Sequence, residues 1–298
     1  IQDGDRGATM ELFITKLLYS SGVWRRKENV ETNVYGSQMT HSVGRTSGNS
    51  RNQSVLQIIG MSASIPNLTS LAQWLFAQLY VTNFRPIELE LSVKVGHELL
   101  DASTKQVKRA LMNATKDADV AHLAELCHET IDQCGSVLVF CGTKARCKSV
   151  ADQLRRMLRN VFITQRENNT NDSGASRGEV IAEFMATLGG SNTLAPYFED
   201  GVAFHHSGLA SDEREMVEES FRRGVVRVLC CTTSLATGVN LPARRVIIRD
   251  LTKGMVDLTA RDIQQMTGRA GRAGLDTSGS AVVFCPSVAK FDSLCDLI

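Results

Sequence analysis

The sequence has no surplus of positive charge: Lys and Arg number 33 against 32 for Asp and Glu. A general electrostatic affinity for polyanions is thereby excluded, and any nucleic-acid contact must come from local placement. No apolar run approaches the ~20 residues of a membrane span, and the opening "IQDGDRG" lacks the charged-then-apolar order of a signal peptide. No membrane partner is expected. Eight cysteines (Cys127, Cys134, Cys141, Cys147, Cys230, Cys231, Cys285 and Cys295) include no CxxC pair. Several lie in apolar runs ("VLVFC", "VLCC", "VVFC"), where a thiol acts as a small buried hydrophobe, so reduced structural cysteines are expected. His122, Cys127 and His128 share the amphipathic helical pattern "DVAHLAELCHETI", with no second ligand pair at zinc spacing. No metal ligand is assigned.

What is present is ordinary for a globular chain with a real core: 43% hydrophobic and 22% charged residues. A length of 298 residues favours two domains, or one domain and part of another. The chain starts at Ile1 rather than Met, which suggests a fragment.

"ATMELFITKLLYS", residues 8–20, carries helical apolar spacing. Residues 25–53 lose all periodicity and read as a polar insertion. "VLQIIG", "MSASIPN" and "LTSLAQWLFAQL" then give strand, turn and helix, the repeating unit of an open α/β sheet. "RPIELELSV" alternates as a strand, and the charged stretch 102–117 reads as helical. A domain border is expected near residues 90–100. From "SVLVFC" to "SAVVFC" strands alternate with helices, interrupted by a polar insertion at 164–179. That order predicts one parallel α/β domain. Ser211 before Asp212 and Glu213 predicts a helix start, as does Thr259 with Asp262 three residues on.

The chemistry gathers at strand ends. "FCGTK" places Thr143 and Lys144 after a strand, "FHHSGL" places His205, His206 and Ser207, and "CCTTSLATG" places Thr232, Thr233, Ser234, Thr237 and Gly238. Ligands of open α/β sheets bind at the carboxyl ends of strands. Short hydroxyls and amides there can hold a phosphodiester backbone without reading sequence. In "QQMTGRAGRAG" two arginines, Arg269 and Arg272, stand three apart among small residues. Guanidinium forks onto phosphate oxygens, and Gly268, Ala270 and Gly271 permit close approach. Taken alone, the pair reads better as solvated charges at a helix end.

Taken together, "GMSASIPN", "VLVFCGTK", "GVAFHHSGL", "RVLCCTTSLATGVNLPARRVII" and "QMTGRAGRAGLDTSG" resemble the ordered motifs of superfamily 2 DNA helicases. The likeness is greatest to the group that includes the helicase-like domain of DNA polymerase theta and its sister single-strand DNA helicases. The resemblance implies RecA-like α/β domains, parallel sheets with helices on both faces. Residues 1–95 would be the back of a first domain and 96–298 a whole second one. It implies an ATP-dependent DNA helicase or translocase in double-strand break repair, located in the nucleus. Its cofactors would be ATP and Mg2+, and its substrate single-stranded or branched DNA. A polymerase domain on the same polypeptide is compatible with it, and the oligomeric state stays open.

Residue by residue, the resemblance makes Arg272 the arginine finger and Arg269 a second phosphate sensor. Gln265, Gly238, Gly268 and Gly271 would lie against the nucleotide. Thr232, Thr233, Thr143, His206 and Ser207 would meet the DNA backbone. Ser62, Ala63 and Ser64 would couple hydrolysis to strand movement, with serine where the family more often has threonine at the third position. The chain contains neither a GxxxxGK[ST] loop nor a DExH tetrad, the groups that cradle the phosphates and hold Mg2+. These 298 residues are therefore expected not to hydrolyse ATP alone. Two alternatives stay open: a helicase-derived module that binds without hydrolysis, and an RNA helicase of the same superfamily.

Overall fold

The computed structural model describes residues 4–20, 58–61, 67–82, 84–112, 118–168, 177–188 and 193–297. The chain divides into two compact units, Ile1–Thr82 and Asn83–Ile298.

Within the first unit the described elements are α1 (Gly4–Ser20) and α2 (Leu68–Leu75). Helix α2 ends where Phe76 turns into the left-handed region at φ 51°, and its backbone N–H closes onto Gln73 O. The turn stops the helix short of the apolar pattern that continues to Leu79. The strand expected at Val55–Gly60 falls largely outside the described residues, and Ile58–Gly60 pair with no strand among the described residues. The polar insertion 25–53 lies wholly outside them.

The second unit opens with β1 (Glu88–Val95), β2 (Glu98–Asp101) and β3 (Val107–Ala110), an antiparallel meander. Then follow α3 (Ala118–Asp132), β4 (Val137–Phe140), α4 (Lys144–Asn168), α5 (Arg177–Leu188), α6 (Ala195–Glu199), β5 (Val202–His205) and α7 (Ser211–Arg222). The chain continues through β6 (Val228–Cys231), α8 (Ser234–Gly238), β7 (Arg245–Ile248), a two-residue hairpin pair β8 (Thr252–Lys253) and β9 (Val256–Asp257), α9 (Ala260–Thr267), β10 (Ser278–Cys285) and α10 (Phe291–Leu297).

Eight strands form one sheet in the order β3-β2-β1-β10-β7-β4-β6-β5. From β1 to β5 every pairing is parallel, so the fold is the mostly parallel α/β sheet expected. Strands β4, β5 and β6 are buried at every position, which is why they read as unbroken apolar runs: parallel strands need helical cover on both faces. Leu138, Val139, Leu229 and Ile247 exclude solvent completely at the centre. Cys230 and Cys231 belong to this core, and burial raises both thiols well above their ordinary range. In α3, Cys127 is pushed up to about 12 by the same cause.

Four features differ from the sequence reading. Strand β1 pairs along its whole length with β10, so residues 88–95 belong to the sheet of the second unit and the border falls before the strand, at Thr82/Asn83. The stretch read as helical at 102–117 contains β3, drawn into the sheet by pairing with β2, while 113–117 lie outside the described residues. Helix α7 is capped from Ala210, not Ser211: the Glu213 carboxylate accepts the Ala210 N–H at 2.9 Å. The expected insertion at 164–179 narrows from both sides, since α4 runs to Asn168 and α5 starts at Arg177.

Leu138→Ala should open a cavity at the middle of the sheet and cost about 2–5 kcal/mol. Chemical unfolding monitored by circular dichroism measures this loss.

Candidate functional site

Parallel pairing aligns the carboxyl ends of four strands. Phe140 stands level with Cys231 and with Ile248, and Cys231 level with His205, so the residues that follow each emerge along one edge. Thr143, His206, Ser207, Thr232 and Thr233 are brought together there. Thr143, Thr232 and His206 each have a local duty. Thr143 Oγ1 accepts the Arg146 N–H at 3.2 Å and so starts α4, leaving Thr143 and Lys144 exposed. Thr232 Oγ1 lies 2.8 Å from Ser234 Oγ, and its N–H donates to His205 O at 3.3 Å. His206 Nδ1 accepts the Gly208 N–H at 3.1 Å, and its ring stacks on Phe204 with centroids 5.4 Å apart. Burial lowers the pKa of His206, and Lys144 and Lys148 lower it further. Those two lysines form a local cationic rim that the net charge conceals. His205 points inward instead, 3.0 Å from Glu218 Oε1, and belongs to the packing.

A second group is built by α9. Thr259 Oγ1 accepts the Asp262 N–H at 3.2 Å, and the Asp262 carboxylate accepts the Thr259 N–H at 2.9 Å, the reciprocal cap that the sequence predicts. Asp262 also holds Lys253 Nζ at 2.9 Å. A shallow cleft of about 240 Å³ lies beside it, lined by Thr233, Ser234, Ala236, Lys253, Asp262, Gln265 and Met266. Gln265 is thus joined to Thr233 by a common cavity. Gly238 closes α8 on the same stretch of chain.

Helix α9 runs back across the sheet and ends at Gly268, eight residues or about 12 Å from its start. The loop that follows is bonded to the chain just before β7: Ala243 N–H donates to Arg269 O at 2.9 Å, and Gly271 N–H donates to Ala243 O at 2.7 Å. The backbone of Arg269 and Arg272 therefore lies near the amino ends of β7 and β10, while the Arg269 side chain reaches back to α8, behind the strand-end loop that follows β6. Thr233 and Ala236 on the cleft wall join the strand-end loops to α9 and to the Arg269 side chain, while Arg272 stands apart on its own ion pair.

The Arg269 guanidinium donates to Ala236 O, at the heart of α8, and reaches Asn240 Oδ1 at 3.5 Å. Burial lowers its pKa from the ordinary arginine value. Arg272 is held by Asp276: Nε donates to Oδ2 and Nη2 to Oδ1, both at 2.8 Å. The ion pair raises the pKa of Arg272 and lowers that of Asp276. Close backbone approach makes this possible. Gly271 sits at φ +90°, where a Cβ would meet Ile87 Cγ2 at 2.8 Å, and a Cβ on Gly279 would fall 2.6 Å from the Ala270 carbonyl carbon.

Sequence reasoning missed three residues here. Asp276 follows Arg272 by four positions, a spacing that signals an ion pair. Asn240 had no signal beyond proximity to Gly238. Arg85 had none: across more than 180 residues of sequence, its Nη2 donates to Ala270 O at 2.8 Å while Nε donates to Ile87 O at 2.9 Å. Ser62, Ala63 and Ser64 lie outside the described residues. Among the described residues no three His, Cys, Asp or Glu side chains gather as metal ligands. His122 is instead buried 3.3 Å from His97, and His128 pairs with Asp132.

Residues 179–274, from α5 through α9 to the arginine loop, match the family model described as helicase conserved C-terminal domain. The chain carries a superfamily 2 helicase C-terminal domain. It is 38% identical to DNA polymerase theta of Mus musculus over 97% of its own length and 11% of that protein. It is 35% identical to the Helicase POLQ-like protein of Drosophila melanogaster, over 96% of this chain and 25% of that one. Against the ATP-dependent DNA helicase Hel308 of Methanocella arvoryzae the identity is 34%, over 80% and 31% respectively. The chain thus spans at most about a third of these relatives. All but one of the described candidate residues fall inside the matched helicase stretch, the exception being Thr143.

Two outcomes follow from the loop geometry. Gly279→Ala drives a methyl into backbone that has no flexible end to yield, and should cost about 1–3 kcal/mol by thermal unfolding. The pKa of Asp276 is depressed in the folded state, so its pairing stabilises above the unfolded carboxyl value of ~3.9, and that stability is lost as pH falls through the lower folded value. Arg272→Met should flatten the acid limb of the stability profile, measured by denaturation between pH 6 and 2.

Proposed function

We propose that this chain supplies the phosphate-sensing and strand-holding half of an ATP-dependent DNA helicase or translocase. The observation that carries the reading is the arginine pair at the end of α9, inside the helicase stretch and fixed by named acceptors. Arg272 fits a phosphate: its side chain is a quarter exposed, and Asp276 occupies two of its five N–H donors, which leaves the Nη1 pair without a partner among the described residues. Arg269, tied to Ala236 O, sets α8 and α9 in fixed relation. ATP, when bound, supplies the scissile phosphoryl bond. The chain's residues place positive charge where negative charge develops on the γ-phosphate, and Gln265 and Gly238 border the nucleotide. No described carboxylate cluster suits Mg2+, so no step here is assigned to the metal. With no GxxxxGK[ST] loop or DExH tetrad, the 298 residues alone hydrolyse no ATP in this reading.

Thr143, Thr232, Thr233, His206 and Ser207, with Lys144 and Lys148 at their rim, hold the backbone of one DNA strand. Ser62 to Ser64 couple hydrolysis to its movement. The reading extends to double-strand break repair in the nucleus on single-stranded or branched DNA; the name of the mouse relative, DNA polymerase theta, supports only a polymerase domain on the same polypeptide.

In the full-length protein Arg272→Ala should reduce DNA-stimulated ATP hydrolysis by ~10³-fold or more while DNA affinity holds, because a finger acts in the transition state. Normal hydrolysis by this variant overturns the assignment. Lys144→Ala combined with Lys148→Ala should weaken single-strand binding and lower the slope of log K against log salt by about 1.4, two phosphate contacts' worth. Fluorescence anisotropy over a salt series reads that slope.

A further inference from the structure

We propose that Asp276 is the positioning residue of the arginine loop, fixing the Nε edge of Arg272 so that its Nη1 edge meets phosphate in a single orientation. The inference rests on the reading of Arg272 as the finger.

The Asp276 side chain is only 2% exposed, and its carboxylate is held in that burial by Arg272. All its bonds go to one residue. Oδ2 accepts the Arg272 backbone N–H at 2.9 Å and Nε at 2.8 Å, while Oδ1 accepts Nη2. The backbone answers in the other direction, with Asp276 N–H donating to Arg272 O at 2.9 Å. The five residues Arg272–Asp276 thus form a ring closed by both main chain and side chain, and Gly274 at φ +78° supplies the reversal.

A free arginine side chain samples many rotamers, and a guanidinium misplaced by an ångström loses most of its value to a transition state. The carboxylate removes that freedom. It does so on the Nε and Nη2 edge, opposite the Nη1 hydrogens, so carboxylate and phosphate are bound together and neither displaces the other. Asp276 acts through Arg272 and makes no contact of its own with the nucleotide.

The test uses the full-length protein with Asp276→Asn, Asp276→Glu, Arg272→Ala and the double variant Arg272→Ala with Asp276→Asn. Asp276→Asn should lower kcat for DNA-stimulated ATP hydrolysis about 10²-fold, with KM for ATP and single-strand affinity close to those of the parent and a melting temperature lowered by the loss of the ion pair. Asp276→Glu, which keeps the carboxylate, should recover at least a tenth of the parent kcat, and it decides the matter if the asparagine variant fails to fold. The double variant should be no slower than Arg272→Ala, because the two residues act as a unit. Full kcat in Asp276→Asn beside an inactive Arg272→Ala overturns this proposal alone, as do additive losses in the double variant. Normal hydrolysis by Arg272→Ala overturns the finger reading, and this proposal falls with it.

Discussion

The two hydrogen bonds between Ala243 and the arginine loop decide where the candidate site can be. Ala243 N–H to Arg269 O and Gly271 N–H to Ala243 O add the loop to the sheet as a short extra rung ahead of β7. Once that rung forms, α9 has one path across the sheet and the spacing of the two guanidiniums is settled. The rung in turn depends on missing side chains: the backbone of Ala270 and Gly271 rests against Gly279 and Ile87, where a methyl at either glycine has no room. Side-chain chemistry at one end of the domain is therefore set by backbone contact.

Much of the sheet was legible because its strands are short apolar runs between clear turns, and burial on both faces leaves no alternation to misread. The Thr259–Asp262 cap was legible for a different reason, since both partners of a local hydrogen-bond exchange lie three residues apart in sequence. What failed was non-local. Residues 107–110 carry charges that read as a solvated helix, and only pairing with β2 makes them a strand. The border between units moved because β1 and β10 lie nearly two hundred residues apart in sequence, and no local signal links them.

The candidate site was legible in its parts and less so in its arrangement. Strand-end hydroxyls could be placed on one edge from topology alone, because parallel strands must end together. The distance between that edge and the arginines follows from the direction of α9, which the sequence leaves open. Partners of the arginines were hidden for the same reason: Ala236 offers a backbone carbonyl, which every residue has, and Arg85 reaches the loop across almost the whole second unit.

Arg85, Arg244, Arg269 and Arg272 lie beside one loop with Asp276 as the acidic partner of Arg272, which concentrates positive charge there. The whole chain carries +1. Such a concentration is felt only within a Debye length, ~8 Å at physiological salt, and nothing in the remaining charge extends it. A polyanion far away meets a neutral body, and attraction begins only when it is almost seated. Encounter is then governed by diffusion and shape, with rates that change little with ionic strength, while retention after contact is electrostatic.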